Sequence, residues 1–204
     1  YTSGSVHGYE TSSIIKTAID TWYSSNLASY ASKLADSVDC NDRSIYAGSV
    51  GGLSWSGTGI GMSSTWYGAA HRLISSSNFV VNPSAAPILT CPTKDDAFTV
   101  SDTTHGNAHL SYPIGLITAD EIAMAGGANG INNSSYYLYT NQYYWAVSPY
   151  NYPGGSAYVF YVSSSGYLNH SNVNDTNGAR VVVSLASDIW GSGTGAWNDP
   201  YVVN

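Results

Sequence analysis

Alternation of apolar and polar residues is clearest in the second half of the chain. Residues 143–150 (Tyr-Tyr-Trp-Ala-Val-Ser-Pro-Tyr), 157–162 (Ala-Tyr-Val-Phe-Tyr-Val) and 178–185 (Gly-Ala-Arg-Val-Val-Val-Ser-Leu) read as three strands joined by polar turns. Together they predict a meander that buries aromatic and branched side chains on one face. The first half reads differently. Ile15, Ala18, Ile19 and Trp22 recur at helical spacing behind the hydroxyls of Thr11, Ser12 and Ser13, which predicts a capped helix. Leu27, Tyr30, Ala31 and Leu34 predict a second helix over 26–35, with both stripes facing the core. Thr118 with Glu121 three residues on is a capping-box signature, and Gly126-Gly127 stops the short helix that follows. Residues 1–10 read as extended. Residues 41–68 read as a long Gly/Ser-rich loop with room for a short hairpin, and 79–100 as an extended stretch broken by Pro83, Pro87 and Pro92. Two or three helices followed by a twisted antiparallel sheet with long loops is an α+β pattern. At 204 residues the chain is read as one domain over 1–204.

Composition changes the picture of the surface. Charged residues are 9% of the chain, against about 25% in ordinary soluble domains. Ser, Thr, Asn, Gly and 18 Tyr take their place. Such an exterior suits an extracellular, surface or filament protein. Lys and Arg total 6 and Asp and Glu 13, a formal net charge of −7, which repels phosphate backbones and argues against nucleic-acid binding. No stretch approaches the roughly 20 apolar residues of a membrane span. No signal peptide is visible, and the first residue is Tyr1 rather than Met, so the chain is read as processed or as a fragment.

Cys40 and Cys91 are the two cysteines, and neither lies in a C-x-x-C pair. One disulfide is expected, with two separate buried thiols as the alternative.

The chain resembles a family of bacterial surface domains of unknown function with a C-type-lectin-like fold. The resemblance runs through Cys40-Asn41-Asp42-Arg43-Ser44, Tyr112-Pro113-Ile114-Gly115-Leu116-Ile117-Thr118-Ala119-Asp120-Glu121 and Ala125-Gly126-Gly127. It continues through Tyr144-Trp145-Ala146-Val147-Ser148-Pro149-Tyr150, Gly178-Ala179-Arg180-Val181-Val182-Val183-Ser184-Leu185, Gly193-Thr194 and Pro200-Tyr201-Val202-Val203. The pieces keep the family's order over roughly residues 20–203. Two departures stand out: Val181 where the family has Pro, and Asp39 where it has an aromatic residue. The family's domain also begins upstream of Tyr1, so an N-terminal strand is expected to be missing, leaving an open sheet edge for a neighbour. The resemblance implies a filament or pilin-like subunit, or an adhesin-like module, and no catalytic residue.

Candidate chemistry is thin. Gly57-Thr58-Gly59-Ile60-Gly61 lacks the Gly-Lys-Ser/Thr of a phosphate loop. Trp197-Asn198-Asp199 is like the calcium motif of true C-type lectins, but the loop triplet that completes it is absent, and an Asn-Asp-Pro turn explains it. His7, His71, His105, His109 and His170 are scattered without metal-ligand spacing, and Gly191-Ser192-Gly193 lacks a nucleophile elbow. No cofactor or metal and no enzymatic activity are expected. Arg180, within an apolar strand, is read as a structural ion pair with Asp120 or Glu121, or as a ligand contact; Asp42 and Arg43 are read as structural in the same way. The tyrosines at 136, 137, 139, 143, 150, 152 and 167 are too many to bury. Trp55, Trp66, Tyr137, Tyr139, Tyr150 and Tyr152 are therefore candidates for a subunit interface or a glycan-stacking platform. The first expectation for function is a non-enzymatic extracellular subunit of a bacterial filament or pilus-like assembly, with copies of itself as partners. The second is a monomeric carbohydrate- or host-binding adhesin module at the cell surface.

Overall fold

The computed structural model describes residues 13–57 and 64–203. The extended reading of 1–10, His7, Thr11, Ser12 and most of the glycine run at 57–61 lie outside the described residues. Along the chain come α1 (Ile14–Asn26), a 3-10 turn (Ala28–Lys33), β1 (Asp39–Cys40), β2 (Ile45–Tyr46), β3 (Gly48–Val50) and β4 (Leu53–Trp55). β5 (Thr65–Tyr67) runs directly into α2 (Gly68–Leu73). A second 3-10 turn (Lys94–Asp96) precedes β6 (Ala97–Phe98), and β7 (Gly115–Leu116) precedes α3 (Ala119–Met124). Then follow β8 (Tyr144–Tyr152), β9 (Tyr158–Val162), β10 (Leu168–Asn172), β11 (Gly178–Ala179), β12 (Val181–Val182), β13 (Trp190–Ser192) and β14 (Val202–Val203). The architecture is mixed α+β with mostly antiparallel pairing, but short strands are interleaved with the helices rather than following them.

The main sheet has the order β10-β9-β8-β5-β2, with every neighbour antiparallel. β8 is its spine. β9 covers one edge along most of its length. Three separate segments share the other edge. β11 pairs in parallel with Tyr144 and Trp145, Ile117 accepts the Val147 N–H at 2.9 Å, and β5 pairs with Asn151 and Tyr152. Pro149, which has no N–H for the ladder, sits where the β8–β9 register shifts. The predicted meander therefore exists, but its third strand is β10. Residues 178–182 leave that order to join β8 and then β7, because β8 offers a free stretch of edge and β7 offers Gly115 and Leu116.

Alternation puts a core on each face of the sheet. Tyr144, Ala146, Tyr150, Phe160, Val162 and Leu168 meet Trp66, α2 and α3. Trp145 and Val159 point the other way, against Ile19, Tyr23, Ile114 and Leu116. Ser13 caps α1, its hydroxyl accepting the Lys16 N–H at 3.2 Å. The buried row of α1 is Ile19 and Tyr23, with Ile15 and Leu27 against the same cluster; the predicted Ala18 and Trp22 face solvent. A single i, i+4 row suffices because α1 packs through one side only, against Trp145 and Val159 of the sheet and the segment of Tyr112, Ile114 and Leu116. The helix predicted over 26–35 is a six-residue 3-10 turn, with Tyr30 and Ala31 exposed.

Residues 41–68 are more ordered than the loop reading. β3 and β4 form the short hairpin, turning through Gly51 (φ +61) and Gly52 (φ +83), which suits a two-residue turn with both central residues left-handed. β5 lies inside the main sheet. α3 forms as the capping box specifies: Thr118 and Glu121 satisfy each other's backbone N–H.

Cys40 and Cys91 are disulfide-bonded, Cα atoms 5.5 Å apart, 51 residues apart in sequence. The bridge staples β1 to the Pro-rich stretch. Replacing both by Ser is expected to cost about 2–4 kcal/mol, read as a lowered urea midpoint with an altered m-value.

Candidate docking site

Among the described residues, Arg43 and Arg72 sit in buried ionic clamps, whereas Arg180 lies at an open groove. Arg72 on α2 is forked onto Asp120 at the start of α3, Nε to Oδ1 at 2.9 Å and Nη2 to Oδ2 at 2.8 Å. The same Nη2 donates to Asp42 at 2.7 Å. Asp120 also accepts the Ile88 N–H and Asp42 the Ser44 N–H. Gly68 permits this approach: a Cβ there would lie 2.4 Å from Ser44 Oγ and 2.9 Å from Asp42 Oδ2. Nearby, the Arg43 backbone and side chain both donate to the Asp96 carboxylate. Asp42, Arg43, Asp96 and Asp120 are all buried. Asp36 accepts three successive N–H groups, from Val100, Ser101 and Asp102, and ties the chain after the 3-10 turn to that loop.

This arrangement corrects the predicted Arg180 pairing. Asp120 is taken by Arg72, and Glu121 spends Oε2 on the Thr118 N–H (2.8 Å) and hydroxyl (2.9 Å). Arg180 instead donates through Nη1 to the Leu138 carbonyl, and its guanidinium carbon lies 5.4 Å from the centre of the Tyr144 ring. Among the described residues it has no carboxylate partner. It lines an open groove of about 600 Å³ whose walls are Leu89, Met124, Tyr137, Val181 and Val183, with Glu121 at the rim of α3.

Of the six aromatic residues predicted as a platform, Trp66, Tyr150 and Tyr152 are buried. The reason is the position of β5 and β8 within the main sheet, covered on both faces. The Trp66 indole N–H donates to the Leu53 carbonyl at 2.9 Å, and its ring stacks on Trp55 at 4.3 Å and meets Tyr150 edge-on at 5.6 Å. Trp55 and Tyr139 are half-buried; only Tyr137, 79% exposed, stands free at the groove.

A cluster of exposed aromatic residues lies elsewhere, on the β13–β14 hairpin. Trp190, Trp197 (94% exposed) and Tyr201 project from it, and every residue from 190 to 202 except Gly193 is exposed. Trp190 and Tyr201 face each other at 5.0 Å. The loop between the strands is closed by Asp199, whose carbonyl accepts the Thr194 and Gly195 N–H groups and whose carboxylate accepts Thr194. Asp199 thus performs the turn role read from Asn-Asp-Pro. The sequence singles out Trp197 only through the calcium motif and Tyr201 only within the family resemblance, and leaves Trp190 aside; an aromatic-rich Gly/Ser segment near one end is the available signal. Among the described residues no group of three or more His, Cys, Asp or Glu side chains is placed to hold a metal ion.

Among the half-buried titratable groups, Asp39 and His170 are displaced strongly from their ordinary values. Burial pushes the Asp39 carboxyl up to about 7, with Glu121 and Asp36 adding to the rise and Lys16 opposing it. Burial holds the His170 ring down to about 4; it stacks flat on Tyr150 at 3.8 Å. His71 stacks on Tyr46, and His105 Nδ1 meets Asp102 at 2.7 Å. Comparison with protein-family models, with curated proteins and with solved structures finds no match for this chain.

Proposed function

We propose that this chain is a non-enzymatic extracellular subunit of a bacterial filament or pilus-like assembly, built on a C-type-lectin-like scaffold. The observation that carries the reading is the exposed aromatic hairpin. A stretch presenting Trp190, Trp197, Tyr201 and Val202 to solvent is costly to leave uncovered, and aromatic residues of this kind anchor protein contacts. The disulfide fits an oxidising compartment, and the mixed α+β architecture is compatible with the scaffold. Arg43 and Arg72 support the reading by being spent internally, in their clamps with Asp42, Asp96 and Asp120, so contact between copies rests mainly on apolar burial. Purified protein is expected to form filaments visible by electron microscopy that persist in molar salt, because apolar contacts are not screened. Trp190→Ser with Trp197→Ser is expected to abolish them. A wild-type chain that stays monomeric at high concentration would sink the proposal.

A second reading, a monomeric carbohydrate-binding module, is favoured by Trp197 alone, whose indole is free to stack on a sugar ring. It requires binding on a glycan array that disappears in Trp197→Ser while the protein remains monomeric.

A further inference from the structure

Resting on that reading, we propose that the β13–β14 hairpin of one copy docks in the Arg180 groove of the next. The two surfaces are complementary in kind. The groove has apolar walls and a guanidinium with no carboxylate partner among the described residues. The segment 184–203 carries no Lys or Arg; the Asp199 carboxylate is engaged by the Thr194 N–H, but Asp188 is exposed, so the segment brings aromatic bulk and the negative charge of Asp188 to that cation. Glu121, the other charge at the groove, is held back by its two bonds from Thr118. Aromatic residues and arginine at the centre of a contact are the types that dominate binding energy.

The root of the arm is fixed. Ala35 N–H donates to the Ser184 carbonyl and Ala186 N–H to the Lys33 carbonyl, both at 2.9 Å, and Ile189 is buried. An arm already held in place loses little freedom on docking. Hairpin and groove are different surfaces, so the contact is heterologous. Each added copy leaves one groove and one hairpin open, which is the condition for an open polymer rather than a closed dimer.

The test mixes two crippled variants of the full chain. Groove variants are Arg180→Glu and, to guard against loss of the Leu138 and Tyr144 contacts, Leu89→Glu at a wall position that is 68% exposed. The hairpin variant is Trp190→Ser with Trp197→Ser. Each alone is expected to sediment as a monomer. An equimolar mixture of a groove variant with the hairpin variant retains one sound groove and one sound hairpin, and is expected to give a 1:1 heterodimer that grows no further. If wild type polymerises and both folded groove variants still polymerise, or the mixture stays monomeric, the docking proposal is overturned while the assembly reading stands. If wild type never assembles, both fall.

Discussion

Arg72→Met is expected to lower the unfolding free energy by about 3–5 kcal/mol, the range for breaking a buried ion pair on one side only. Methionine restores much of the volume, so the effect isolates charge. Without the guanidinium, the Asp42 and Asp120 carboxylates face each other in a buried site whose fork bonds at 2.7–2.9 Å are gone. A surface pair would be worth only about 0–1 kcal/mol. Urea titration measures the difference. Adding Asp42→Asn and Asp120→Asn to the methionine variant is expected to return a substantial part of the loss, because the unmatched charge is then removed. A loss below about 1 kcal/mol would mean that water, and not Arg72, satisfies the two carboxylates.

The second large effect is concealed in the wild type. Asp39 has an ordinary value of 3.8 and is raised to about 7, so between these limits the folded state binds more protons than the unfolded. Its contribution to stability therefore falls as pH rises and is at its worst above about 7. His170 has an ordinary value of 6.5 and is lowered to about 4, so in that window the unfolded state binds more protons and stability falls as pH drops. Between about pH 4 and 6.5 the two slopes have opposite sign and nearly equal size, and this pair is expected to contribute no net slope to stability there. Asp39→Asn should gain roughly 4 kcal/mol above pH 7, at about 1.4 kcal/mol for each pH unit between the folded and unfolded values, and become acid-labile. His170→Phe, which keeps a ring on Tyr150, should instead grow more stable on acidification. Urea midpoints across that range decide it. Variants whose pH profiles parallel the wild type would show that neither group is buried as described.

Legibility followed local chemistry. The capping box at Thr118 and Glu121, the alternation through 144–162 and the Ser13 cap are short-range patterns, and the structure carries all three. α2 escaped notice because six residues starting with Gly68 have neither a side-chain cap nor a repeating stripe. The Arg180–Asp120 pairing failed because partner choice is a long-range matter; with only six cations, Arg72 among apolar neighbours was an equally good candidate. Trp66 sat in a Gly/Ser-rich stretch where no period assigns a face, so its burial could not be read. The same absence of period hid the exposure of Trp190 and Tyr201.

The divided edge of β8 bears on how the chain reaches this state. The β8–β9 and β9–β10 turns join neighbours and can zip within microseconds of being available. The opposite side must recruit β5 from far upstream, the Ile117 carbonyl from the middle, and β11 from downstream. Those closures are entropically slow, and the last cannot occur until residues 178 and 179 exist. During synthesis the nascent protein therefore holds a half-clad ribbon with an unpaired flank at Tyr144 and Trp145. It is most vulnerable to mispairing with a sister chain in the interval before Gly178 arrives.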